Sequence, residues 1–173
     1  MPKTKIVIDA DVIIHFLKGG YLNILHTIFP GYEYVILDVV MTEVRKQSDT
    51  RIAIDNHMAL LRNLKEVKWE PKGEMIREFA YLSSIMGVGE SVSMVYCRYN
   101  NDVIASSNLS DITDYCNEND IVYVCTMDFL WEAYTKGIMT EAECNKFIKD
   151  VIAQDSKLPD IEITQHKPRE LLL

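Results

Sequence analysis

The sequence predicts an α/β protein: a three-layer α/β/α sandwich around a central, mostly parallel sheet of about five strands. Two observations predict it. Short β-branched runs alternate with segments of helical period, separated by single helices or helix pairs. Such connections are crossovers, and they cover both faces of a parallel sheet. The run "KIVIDADVII" at residues 5–14 also has six β-branched aliphatics in ten residues, the composition of a strand built for a dry core.

Each element follows in chain order. Residues 4–9 (TKIVID) read as the first strand, and helical turns follow from Val12 to Leu17. Gly19-Gly20 breaks that helix, and a second helical pattern at 21–29 stops at Pro30-Gly31. "EYVILD" at 33–38 is the second strand, with helices at 39–47 and 50–64. "EVKW" at 66–69 reads as a third strand ended by Pro71. A helix runs from Lys72 to about Met86, "GVG" interrupts, and another runs from Glu90 to Tyr99. Strands at 102–107 and 121–126 flank a helix at 109–118, and helices at 127–136 and 140–154 follow. Residues 1–158 are expected to form one domain. Residues 159–173 read as a C-terminal tail or edge strand, or as a segment that orders on a partner.

Composition narrows the class. Hydrophobic residues at 48% and charged residues at 25% are ordinary for a globular protein. No apolar run reaches the roughly 18 residues of a membrane span, and the start carries two acids, unlike a secretory signal. Cys97, Cys116, Cys125 and Cys144 stand far apart with no C-x-x-C, which predicts reduced thiols in a cytoplasmic protein. The four histidines are scattered and offer no zinc-ligand spacing. A net charge of −8 argues against loose, non-specific nucleic-acid binding. It leaves open an enzyme that reaches a phosphate through metal ions.

Ligands in such sheets bind outside the carboxyl ends of the strands, and acids gather there. Asp9 and Asp11 follow the first strand, and Asp38 the second, with Glu43 one turn into the next helix. Glu90 opens a helix after "GVG", Ser106-Ser107-Asn108 ends the fourth strand, and Thr126-Met127-Asp128 ends the fifth. Like charges 4 Å apart repel by roughly 4 kcal/mol at an effective dielectric near 20, so such a cluster takes up protons or cations. All-oxygen ligands select Mg²⁺ or Mn²⁺.

Each residue also has a plainer reading. Asp11 reads equally as the N-cap of the first helix, and Glu43 as a solvated acid paired with Arg45 or Lys46. Glu90 complements a helix dipole, although the glycines before it suggest close backbone approach. Asn108 and Thr126 are both good caps for the helices they precede, and Asp128 is satisfied in a first turn. Asp111 and Asp114 read as a solvated face. Asp9 has no such alternative, because a lone buried carboxylate costs several kcal/mol.

The "VIDADVIIHFL" start, a helix carrying "TEV", "GVGES" opening a later helix and a strand ending in "SSN" together resemble a PIN domain. The resemblance runs from about residue 5 to 157 and is closest to the prokaryotic proteins that include VapC-type toxins. It implies a flavodoxin-like α/β/α sandwich and a metal-dependent ribonuclease that cleaves RNA phosphodiesters with metal-activated water. Carried over residue by residue, it implies Asp9, Glu43 and Glu90 as catalytic Mg²⁺ or Mn²⁺ ligands, with Asp11, Ser106 and Thr126 supporting them. The family's next aspartate falls on Asn108, whose amide oxygen is a weaker ligand, and Asp128 is the acid expected to compensate. Arg45 and Lys46 are the expected RNA contacts, joined by Arg51 and Arg98. The resemblance further implies an antitoxin partner and a homodimer. Asn108 and the acidic surface favour an alternative: a catalytically degenerate PIN-like module that binds nucleic acid or protein. A response-regulator-like or nucleotide-binding α/β domain is a third reading, but "DADVI" stands where a Gly-rich phosphate loop belongs.

Overall fold

The structure, a computed structural model, describes residues 3–171; the first two residues of the expected domain and the last two of the expected tail lie outside the described residues. In chain order the elements are β1 (Lys5–Ile8), α1 (Ala10–Gly19), a 3₁₀ turn (Leu22–Ile24), α2 (Leu25–Ile28), β2 (Glu33–Leu37), α3 (Asp38–Val44) and α4 (Ser48–Leu61). There follow β3 (Lys65–Val67), α5 (Glu74–Leu82), α6 (Val88–Asn100), β4 (Val103–Ala105), α7 (Leu109–Glu118), β5 (Tyr123–Val124), α8 (Thr126–Thr135), α9 (Glu141–Ala153) and a 3₁₀ turn (Ile163–Gln165).

The five strands form one all-parallel sheet in the order β3-β2-β1-β4-β5. Helices α1, α2, α8 and α9 pack together, α6 packs between α5 and α7, and α3 touches both α1 and α6. This is the expected three-layer sandwich. The strand order differs from the 2-1-3-4-5 of a flavodoxin-like sheet. Val7 pairs with Val35 on one side and Ile104 on the other, so β1 is flanked by β2 and β4. β3 therefore continues outward beside β2, with Ile36 opposite Glu66. The order reverses between β1 and β4, and the crevice lies there.

Burial explains the β-branched runs. Ile6, Val7 and Ile8 are fully buried, as are Ile36, Leu37, Ile104 and Val124, because helices cover the sheet. Beside α1 the core is aromatic: Phe16 meets Phe129 and Phe147 edge to face, with centroids 5.8 and 5.0 Å apart. Such pairs contribute about 0.5–1.5 kcal/mol beyond their buried area. All four cysteines are free and buried. No helix among the described residues is long and apolar enough to cross a membrane.

Two local readings are corrected. α1 starts at Ala10, and its N-cap is Asp9 rather than Asp11. Asp9 keeps extended backbone angles (φ −80°, ψ 162°) while its side chain accepts from the Ala10 amide, so the helix begins the moment the strand ends. The 159–171 segment forms no strand; its regular structure is the turn at 163–165. Ile163 is fully buried, and its amide donates to Asn145 Oδ1 at 2.7 Å. With β5 only two residues long, the sheet offers little edge to extend.

Candidate active site at the carboxyl edge of the sheet

Asp9 stands at the reversal point. Its amide donates to the Ala105 carbonyl at 2.8 Å, which carries the β1–β4 ladder one residue beyond β1. Ser106 does the same on the other side, its amide donating to Val124 at 3.0 Å. Both residues are buried. Burial, followed by the charges of Asp11 and Glu90, pushes the Asp9 carboxyl well above the usual carboxylate range, while the Ala10 amide and the Ser106 hydroxyl pull it back. Asp11 projects from the first turn of α1, where its Oδ1 accepts from Val12 (2.6 Å) and its Oδ2 from the Ser107 amide (2.8 Å). Burial pushes it up to about 6 against those amides. A carboxylate held by amides and still raised is short of positive charge.

The glycines of "GVG" make the site possible. A Cβ on Gly89, in the first turn of α6, would lie 3.1 Å from Glu43 Oε2 and 3.3 Å from Asp9 Oδ1. Two carboxylates from different elements thus converge on one backbone position, and a Cβ there would require both to give by a few tenths of an ångström. A Cβ on Gly87, the N-cap of α6, would lie 2.1 Å from Glu90 Oε2. Glu90 therefore folds back over the start of its own helix. Its Oε1 accepts from Asn108 Nδ2 at 3.2 Å.

Asn108 is the hinge of the outer half. Its Nδ2 also donates to Asp111 Oδ2 at 2.9 Å, and its Oδ1 accepts from the Ser110 hydroxyl at 3.0 Å. It stands at the N-cap position of α7, but its side chain makes no capping bond. It instead bridges two acids. Asp111, expected on a solvated face, is half-buried and bound into this bridge.

The structure does not bring Asp128 into this group. Its Oδ2 accepts from the Cys125 amide (2.8 Å), which closes a capping box on α8, and from the Arg169 guanidinium. Thr126 begins α8 rather than capping it. The Thr126 hydroxyl joins Ser107 Oγ (2.8 Å) to His15 Nδ1 (2.8 Å), and its amide donates to Ser107 Oγ at 3.1 Å. Burial, then Lys18, pushes His15 down to about 4, which keeps the ring neutral near pH 7; the direction of its bond to Thr126 follows its tautomer. The chain His15–Thr126–Ser107 ends at the amide that holds Asp11. Arg45, an expected RNA contact, is engaged with Asp55 (2.9 Å) and Glu66 (3.1 Å), whereas Lys46 is exposed. Asp38 fastens α3 to the end of β3 through the Val39 and Trp69 amides, each 2.9 Å away.

No family model, curated protein or solved structure matches the chain. The site must be read from its own chemistry. As the side chains lie, no group of three or more His, Cys, Asp or Glu among the described residues is arranged to hold a metal ion. Two carboxylates do converge, and Mg²⁺ is commonly held by one or two carboxylates plus waters and substrate phosphates. The all-oxygen donors at Gly89 fit a hard cation on that basis. Sequence reasoning missed His15, Ser107, Gly89 as a spacer and Asp111. Only "GVG" and the i+3 spacing from Asn108 to Asp111 signalled any of them.

Proposed function

We propose that the carboxyl edge of the sheet is the centre of a Mg²⁺- or Mn²⁺-dependent nuclease of PIN type, cleaving RNA. The convergence of Asp9 Oδ1 and Glu43 Oε2 on Gly89 is the observation that carries this reading. Asp9 and Glu43 would hold the cation, which supplies positive charge against a phosphate and acidifies a bound water. Asp9 is delivered rigidly, because the β1–β4 ladder fixes its backbone and its carboxylate caps α1. Asp11, locked by the Val12 and Ser107 amides, adds negative charge beside it and raises the pull on a cation. Glu90, held by Asn108, stands on the outer side, and exposed Lys46, three residues after Glu43, would meet an RNA backbone, since Arg45 is engaged with Asp55 and Glu66. The RNA substrate, an antitoxin that would cover the acids and a homodimer follow from the PIN resemblance alone.

One observation favours a second reading. The Asn108 amide already donates to both Glu90 and Asp111, and so satisfies acids that a cation would otherwise bridge. On that reading the domain binds without cleaving.

Cleavage of end-labelled single-stranded RNA with Mn²⁺ separates the two. The nuclease reading expects Asp9→Asn and Glu43→Gln each to lower the rate about 100-fold or more, since disturbing even the partners of metal ligands costs 10–100-fold. Equal cleavage by all three proteins would mark a contaminant and sink it. An inactive wild type rescued by Asn108→Asp would establish the degenerate reading.

A further inference from the structure

A second polar site lies at the opposite edge of the sheet. A cavity of about 620 Å³ opens where β2 and β3 begin, lined among others by Lys3, His26, Tyr32, Arg62, Asn63 and Lys65. Glu33 is the one carboxylate in its wall. Three cations against one acid is a local reversal in a chain whose net charge is −8. The ammoniums are held in place: Lys3 Nζ donates to the Pro30 carbonyl at 3.1 Å, and Lys65 pairs with Glu33. Arg62 is the left-handed C-cap of α4, with φ 43°, a conformation that is costly for a residue with a Cβ and worth a functional question. The arginine ion pairs among the described residues involve Arg45, Arg77, Arg98 and Arg169, and Arg62 is in none of them.

Behind the cations, one amide joins two imidazoles. Asn63 Nδ2 meets His26 Nδ1 at 2.9 Å, and Asn63 Oδ1 meets His57 Nε2 at 2.9 Å. An amide has one donor end and one acceptor end. It can therefore serve a single imidazolium, which must face the oxygen, while the other ring presents a bare nitrogen to the NH₂. Burial holds His57 below the ordinary histidine value, so His57 is the ring that stays neutral. If the amide turns over, its oxygen accepts from a charged His26 and its NH₂ donates to His57 Nε2, whose own proton passes through solvent to His57 Nδ1, so the ring stays neutral and both hydrogen bonds are kept. His26 is the ring that lines the cavity.

We propose that this cavity binds a small phosphate-type oxyanion between Arg62, Lys3 and Lys65, and that binding places a proton from solvent on His26 by turning over the Asn63 amide. The only bond made is the N–H on His26 Nδ1, its proton supplied by solvent, and the bound anion and the proton arrive together. The groups that face His26 from neighbouring elements are Lys3, Glu33 and Lys65 around the sheet, and Arg62 and His57 from α4. A bound anion would favour the positive charge on His26, which shares its cavity, and that attraction is the source of the coupling. Tyr32 and Pro30 complete the wall and give a base or sugar a surface beside the phosphates.

Isothermal calorimetry on the full chain tests this with three probes. Inorganic pyrophosphate is expected to bind, and Arg62→Ala, an exposed position, to weaken it about tenfold by loss of a charged contact. Sulfate keeps its charge between pH 6 and pH 8, so its tighter binding at pH 6, by at least about fivefold, would report the proton on His26. His26→Gln should make sulfate affinity independent of pH. Adenosine diphosphate distinguishes a nucleotide from a bare phosphate ligand: tighter binding than pyrophosphate assigns the nucleotide, equal binding the bare anion. No heat from millimolar pyrophosphate, or binding untouched by both Arg62→Ala and Lys65→Ala, would overturn the site. A wild type whose sulfate affinity is the same at both pH values would overturn the proton coupling.

Discussion

At Gly89 a hydrogen stands where any other residue would put a carbon, and Glu43 Oε2 and Asp9 Oδ1 use the space. The position is helical, so Gly89→Ala should favour the helix by about 0.5–1 kcal/mol while pushing the two carboxylates apart. The expected outcome is a melting temperature that is unchanged or slightly raised, with Mn²⁺-dependent cleavage lowered at least about tenfold. A combined melt and cleavage assay separates this from ordinary damage, in which both fall together. The sequence flagged "GVG" as a place of close approach but could not say to what, because Asp9 and Glu43 are distant in the chain. It also offered Asp11 as one candidate cap, since either aspartate of "DAD" suits that role, whereas the cap is Asp9. Asp111 looked solvated because only the turn of the chain at Asn108 reveals its bridge to Glu90.

At the scale of elements, the β-branched runs announced β1, β2 and β4 because helices on both faces leave those residues no water to meet. The C-terminal segment was less legible. Its alternation "DIEIT" imitates a strand, yet its order comes from the Ile163 contact with α9 and from the Arg169 guanidinium, which holds Asp128, donates to the Tyr123 carbonyl at 3.1 Å and lies over the Tyr123 ring at 4.2 Å. Asp128 is almost wholly buried, and removing its partner leaves an uncompensated charge. Because Arg169 itself is about one-third exposed (31%), solvent moderates the loss. Arg169→Ala should cost about 2–3 kcal/mol, a fall of roughly 5–10 °C in melting temperature. A melt within 2 °C of wild type would show that the segment is dispensable to the fold. The same contact ties Asp128 to the C-terminal segment and to the cap of α8.

Across the whole molecule, the parallel sheet gives its two edges different character. The carboxyl ends of the strands carry Asp9, Asp11, Glu43 and Glu90, while the other edge carries Lys3, Arg62 and Lys65 beside Glu33 and Asp102. A net charge hides that division, which arises because β1, β2 and β3 all point one way. The strand order was equally hidden. Crossover helices establish that strands are parallel, but the choice of neighbour depends on pairing partners that a single sequence does not display. The order β3-β2-β1-β4-β5 then places the reversal beside Asp9, which is why this acid bears most of the burial and most of the repulsion.

Asp9→Asn retains the capping side chain and removes a charge that burial, Asp11 and Glu90 all oppose. Thermal melts of wild type and Asp9→Asn at pH 7.5, with and without millimolar Mn²⁺, therefore test the cation centre most directly. Without divalent ions the variant should melt about 3–6 °C higher, equivalent to about 1–2 kcal/mol. Mn²⁺ at about 100 times its dissociation constant should then stabilise the wild type by about 2.7 kcal/mol and leave the variant nearly unmoved. A wild type indifferent to Mn²⁺, or one shifted equally with the variant, would contradict a cation site at Asp9.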